Sequence, residues 1–143
     1  MKIYIASSWK NQHGVEMLTD LLRRNGHEVI SWVENNYGEN HNHVTKKFNF
    51  EDWMKSGEAV HSFRFDTQGA TKSDLVIYYA PSGKDACAEL GAAWASGITI
   101  LGLYAKGEDL GLMRMMVVSW FERYTDLLGT VEAIAESRQL KQA

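Results

Sequence analysis

Cysteine is almost missing from this chain: Cys87 stands alone among 143 residues. One thiol excludes an internal disulfide and cannot by itself build a thiolate metal site, which fits a reducing compartment and makes the cytoplasm the expected location. An excess of positive charge is missing too. With 15 basic against 18 acidic side chains the net charge is −3, so the chain lacks the surface by which proteins grip nucleic acid phosphates, and a small molecule is the expected partner. Long apolar runs are also lacking. Met1-Lys2-Ile3-Tyr4-Ile5-Ala6 is too brief for a signal peptide or a membrane span, so no membrane partner is expected and the segment reads as a strand. No internal repeat and no low-complexity segment occurs. What remains is 45% apolar and 11% aromatic, enough for the core of one domain over residues 1–143.

The chain is organised around Ser73 to Ala95. Leu75 to Tyr79 is a short apolar run with β-branched and aromatic residues, Pro81-Ser82-Gly83 breaks it, and Ala86 to Ala95 is dense in helix formers, so the stretch reads as strand, turn and helix. Upstream, Lys2 to Ala6 is a first strand, Val15, Leu18, Leu21 and Leu22 mark a helix closed by Asn25-Gly26, and His27 to Val33 reads as a second strand. Glu34 to Lys47 is polar and reads as a loop beside the sheet, while Phe48 to Lys72 reads as mostly helical with a break near Ser56-Gly57. Downstream, Gly97 ends a helix, Ile98 to Leu103 reads as a fourth strand, Met115 to Trp120 as a fifth, and Tyr124 to Leu140 as a last helix with a fraying tail.

Strands alternating with helices imply an α/β fold, a doubly wound three-layer sandwich on a mainly parallel five-stranded sheet. In such folds ligands bind beyond the carboxyl ends of the strands, which selects the loops Ser7 to Gly14, Glu34 to Tyr37, Pro81 to Glu89 and Gly102 to Gly111. Glu89 needs explaining: it is a carboxylate among Ala88, Leu90, Ala92 and Ala93 near the start of a helix. The helix dipole favours its ionised form and apolar neighbours favour the neutral one, so its state depends on their balance. On the residues alone, it reads as a capping or dipole-satisfying glutamate on an exposed face.

Asp74-Leu75-Val76-Ile77, Pro81-Ser82-Gly83 and Glu89-Leu90-Gly91 with Ala93 resemble the nucleoside 2-deoxyribosyltransferase family and its nucleotide N-glycosidase relatives. The opening Ile3 to Trp9 is similar, as is the order Glu34 to Tyr37, Phe65-Asp66, Gly69 and Lys72-Ser73-Asp74, so the resemblance runs from Met1 to about Trp120. It implies a flavodoxin-like domain in which Glu89 is the nucleophile at the anomeric carbon, the helix N-terminus keeps it anionic, and Asp74 lies near the substrate. It also implies no cofactor, no metal, and a homo-oligomer in which a neighbour completes the pocket; Met113 to Phe121 is a candidate surface for that contact, or core.

Asp74 then reads as an assisting acid or as a residue that starts a strand. Asp85 reaches a sugar hydroxyl or caps the helix. Ser7, Ser8 and Trp9 hold polar groups and stack a base, or they form a loop whose tryptophan covers the sheet edge. Asn36, in the segment Glu34 to Tyr37, helps gate the pocket or makes a turn. Ser82 and Gly83, with Lys84, could donate to a 5′-phosphate, although Lys84-Asp85 replaces a serine or glycine of some family members and Asp85 adds a negative charge. His41, His43 and His61 lack the spacing of a metal site, and Cys87 reads as core packing. Two other functions stay open: a glycohydrolase of another N-ribosyl compound such as a dinucleotide, and a non-catalytic nucleotide-binding module.

Overall fold

The computed structural model describes residues 1–37, 49–109 and 111–143. Five strands form one sheet: β1 (Lys2–Ala6), β2 (Glu28–Ile30), β3 (Leu75–Tyr79), β4 (Thr99–Leu103) and β5 (Ser119–Phe121). All pairings are parallel, in the order β2-β1-β3-β4-β5, the flavodoxin-like arrangement. Its helices are α1 (Gln12–Arg24), α2 (Trp32–Asn36), α3 (Phe50–Met54), α4 (Gly57–Lys72), α5 (Lys84–Ala95) and α6 (Tyr124–Gln142). Among the described residues, no helix is long and apolar enough to cross a membrane.

Helices cover both faces of the sheet, which is why the central strands read as unbroken apolar runs. Side chains alternate between faces along a strand. Tyr4 on β1 lies against Gly69 of α4, whereas Tyr79 on β3 lies against Gly14 of α1. Ile3, Ile5, Leu75, Ile77, Ile100 and Leu101 are almost completely buried between these layers.

Two strands are shorter than the sequence suggests. Residues His27 to Val33 do not stay extended, because the Ser31 hydroxyl accepts the Glu34 amide at 3.2 Å and starts α2 at Trp32. The polar stretch from Glu34 is therefore helical through Asn36 at its start, and its remainder from residue 38 lies outside the described residues. Met115 and Met116 end a 3₁₀ turn, Leu112–Met116, that follows Gly111 at φ +63°. Leu112, Met113 and Met115 are 73%, 60% and 79% exposed, whereas Met116, Trp120 and Phe121 pack against the core, so the expectation of core holds only for the latter. The expected break at Ser56-Gly57 falls where Ser56 caps α4 by accepting the Ala59 amide.

The last helix is held at the amino edge of the sheet. Asp74 accepts the Lys2 amide at 2.8 Å with one oxygen and pairs with Arg138 at 2.7 Å with the other. His27 Nε2 stands 2.8 Å from Glu132, so a second contact fastens α6 to the end of β2. The expected fraying tail is helical through Gln142. Because Asp74 joins β1, β3 and α6, Asp74→Ala is expected to cost about 1–2 kcal/mol and to lower Tm by roughly 3–8 °C in thermal unfolding.

Candidate active site

The chain runs from β1 outward to β2 and then crosses back to β3, so the loops after β1 and β3 part at the switch point. A cleft of about 340 Å³ opens there. Ser7, Ser8 and Trp9 from the β1 loop form one wall with Trp32 and Asn36 of α2. Gly83 to Ala86 and Glu89, from the start of α5, form the opposite wall, and Asp66 of α4 closes the floor. A second cavity of about 390 Å³ lies among Leu18, Tyr79, Leu103 and Tyr104, with Glu122 its single carboxylate. Size favours that cavity, but the titratable chemistry is concentrated in the first.

Three groups meet at the cleft floor. Tyr4, fully buried on β1, donates its phenol hydrogen to Glu89 Oε2 at 3.1 Å. Burial first, then the charge of Asp66, pushes the Glu89 carboxyl up to about 8, against the pull of the Tyr4 hydrogen bond. Burial also pushes Asp66 up to about 6; the Tyr4 hydrogen bond lowers it and the charge of Asp85 raises it. The Tyr4 phenol is driven far above its ordinary range by burial, then by the Glu89 charge. Facing carboxyls in such surroundings do not both ionise easily, so near neutrality the pair holds one proton between them.

These facts correct the expectation that the helix keeps Glu89 anionic. Glu89 is the sixth residue of α5, which begins at Lys84, beyond the first turn where the dipole acts. Desolvation wins. Asp85, in that first turn, occupies the favourable place instead.

The other expected residues divide. Ser8 Oγ and Asp66 Oδ1 are buried with no hydrogen-bond partner in the protein, and both belong to the cleft. Trp9 is 46% exposed and meets Trp32 edge-on, ring centres 4.8 Å apart, with Tyr37 beyond it at 6.2 Å. Trp32 is fixed by its Nε1–H donating to Ile5 O at 2.8 Å, and Asn36 donates to Trp32 O at 2.7 Å. Ser7 lines the wall, but its hydroxyl donates to Tyr79 O at 2.7 Å and accepts from Asn11 at 3.0 Å. Gly83 is the α5 cap residue.

Three readings change. Asp74 sits just before β3, at the amino edge of the sheet, and both its oxygens are engaged there. It does not join the Glu89 cluster, and the second acid of the cleft is Asp66. Ser82 is absent from the cleft lining, because its hydroxyl donates to Tyr78 OH. Cys87 is exposed rather than core; its sulfur lies 3.9 Å from Tyr78 OH. Ala86, Leu90 and Ala93 take the buried face of α5 and leave position 87 outside. Of the histidines, His61 bonds Asn35 at 3.1 Å, while His41 and His43 lie outside the described residues. Among the described residues no group of three or more His, Cys, Asp or Glu side chains could hold a metal.

Asp66 is marked in the sequence by its helix spacing. It shares a helix face with Gly69 and Ala70, at spacings of three and four, and that face is buried. An acid on an apolar stripe is as unusual as Glu89 among alanines.

No protein-family model matches the chain, and no curated protein does. Solved structures match nearly its whole length. One is a 2-deoxyribosyltransferase from the psychrotolerant bacterium Bacillus psychrosaccharolyticus, 24% identical, covering 89% of this chain and 90% of that one with a TM-score of 0.66. Another is the CMP N-glycosidase of Clostridium botulinum, 16% identical, covering 92% of this chain and 99% of that one with a TM-score of 0.57. The flavodoxin-like fold is thus shared with a deoxyribosyltransferase and an N-glycosidase.

Because Glu89 and Asp66 lie above their ordinary range when folded, the native state holds protons that the unfolded chain releases. Their contribution to stability is therefore present at acid pH and lost as pH rises through about 6 and about 8. Glu89→Gln removes the larger cost. Its Tm should exceed the parent's by roughly 3 °C or more at alkaline pH, with the gap shrinking in acid; an equal gap at both ends would refute the buried-acid account.

Proposed function

We propose that this protein is an enzyme that cleaves or transfers at the N-glycosidic bond of a 2′-deoxyribonucleoside or its 5′-monophosphate, with Glu89 as nucleophile and Asp66 as the assisting acid. The observation that carries this reading is the Asp66–Tyr4–Glu89 set on the floor of a cleft walled by Trp9 and Trp32. The fold shared with a deoxyribosyltransferase and a CMP N-glycosidase supports it.

Tyr4 has one hydrogen to give. Donating it to ionised Glu89, Tyr4 can accept from protonated Asp66; Glu89 holds the shared proton more tightly, so this arrangement is the less populated of the two, and it is the reactive one. A Glu89 oxygen bonds to the anomeric carbon as the carbon–nitrogen bond breaks; the electron pair leaves with the base, which takes the Asp66 proton. A sugar ester of Glu89 and a free base result. A second base, or water, then attacks the same carbon, returns a proton to Asp66 and releases Glu89, giving transfer or hydrolysis. Ser8 and Asp85 are placed for sugar hydroxyls, and the exposed Trp9 ring for the base.

Among the described lining residues, Asp66, Asp85 and Glu89 stand against the single cation Lys84. That balance favours an uncharged 5′ end over a phosphate. The exposed Leu112, Met113, Met115 and Val118 are the surface on which we expect a homo-oligomer to form.

The test is incubation with deoxynucleosides and deoxynucleotides, with and without an acceptor base, followed by chromatography of free and exchanged base. Product only with acceptor marks transfer; product without it marks hydrolysis. Glu89→Gln should lower the rate by on the order of 10³-fold or more and Asp66→Asn by about 10²-fold, and a Glu89→Gln protein as fast as the parent would end this reading. The rate against pH should be bell-shaped, rising through about 6 as the pair loses its first proton and falling through about 8 as it loses the second.

A further inference from the structure

We infer that Gly69 is a positioning residue for the reaction: as the point where α4 touches the Tyr4 ring, it sets how closely the Asp66 and Glu89 carboxyls approach the Tyr4 hydroxyl. The inference rests on the reading of those three groups as the reacting set.

A Cβ on Gly69 would stand 2.4 Å from Tyr4 Cδ2, 2.6 Å from Cε2 and 3.1 Å from Cγ. No side chain fits there without movement, and neither partner is free to move. Tyr4 belongs to β1, paired with Ile30 on one side and Val76 on the other. Its ring is fully buried and its hydroxyl is held by Glu89. The end of α4 is pinned as well: the buried Ser73 hydroxyl donates to Gly69 O at 2.6 Å, and the Asp74 amide donates to Lys2 O at 2.8 Å.

Asp66 lies three residues before Gly69, one turn along the same helix face. A methyl group at position 69 must therefore tilt α4 about its pinned end or turn the Tyr4 ring. Either motion changes the spacing among Asp66, Tyr4 and Glu89. Glycine is a poor residue for the inside of a helix, so its presence here calls for a packing reason. Gly129 of α6 has nothing within 4 Å of its built Cβ and provides the contrast.

The experiment compares Gly69→Ala and Gly129→Ala with the parent by base release against pH and by ¹³C-carboxyl titration of Asp66 and Glu89. Beside the pair, the charged groups of the cleft are Asp85 and Lys84 on α5, untouched by these substitutions. Gly69→Ala should lower kcat by about tenfold or more with a smaller effect on KM. Wider separation relieves the Asp66 charge on Glu89, so the alkaline limb and the Glu89 titration should move to lower pH by roughly half a unit. Gly129→Ala should change neither.

In a Tyr4→Val background, where the ring is gone, Gly69→Ala should raise Tm instead of lowering it, a sign reversal that a general helix effect would not produce. Should Gly69→Ala fail to fold, Ser73→Ala tests the same pin and is expected to move the Glu89 titration in the same direction. A folded Gly69→Ala protein with parental titrations and pH profile overturns the inference. A parent that turns over no nucleoside sinks the functional reading alone, because the carboxyl titrations still judge Gly69.

Discussion

A phenol buried in the middle of a parallel strand is out of reach of bulk water, and its hydroxyl must find partners in the protein. Tyr4 finds one in Glu89 on α5, to which it donates at 3.1 Å, and the carboxyl of Asp66 on α4 raises the cost of charge on both. That requirement sets the depth at which both helices sit on the sheet. Small residues make the depth possible: Gly69 faces the ring on α4, and Ala86 and Ala93 face the sheet on α5. Two acids held above their ordinary range oppose folding at neutral pH, and the core around Ile5, Ile77 and Leu101 has to offset that cost.

Much of this fold was readable from the chain, for identifiable reasons. The bounds of β1 and β3 follow from apolar runs that only a sheet covered on both faces produces, and α1 and α6 follow from their apolar spacing. β2 and β5 are shorter than the apolar runs suggest, because apolar residues follow β2 and precede β5. Ser31 and Glu34, at capping-box spacing, and Gly111, in a left-handed conformation, are what redirect the backbone. Within the site, Glu89 was visible as an acid among alanines. Asp74 misled because adjacency to β3 in sequence does not say which edge of the sheet a residue occupies. Asp66 was hidden because its neighbours in space are far from it in sequence, although its helix spacing with Gly69 and Ala70 placed it on the buried face.

The two edges of the sheet use charge differently. At the amino edge, Asp74 has Arg138 and the Lys2 amide, and His27 has Glu132, so α6 is fastened by conventional complementary pairs. At the carboxyl edge, like groups are brought together and only a phenol mediates between them. Paired charges are concentrated at one edge, and acids with raised pKa values at the other.

The Asn11 side chain gives the mouth of the cleft a further property. Its amide nitrogen bonds Ser7 Oγ at 3.0 Å and Pro81 O at 2.6 Å, while Ser7 bonds Tyr79 O at 2.7 Å, so the segments following β1 and β3 are laced together. Trp9 and the start of α5 grow from those two laced segments. The separation of those two segments is therefore set by bonds within the protein itself.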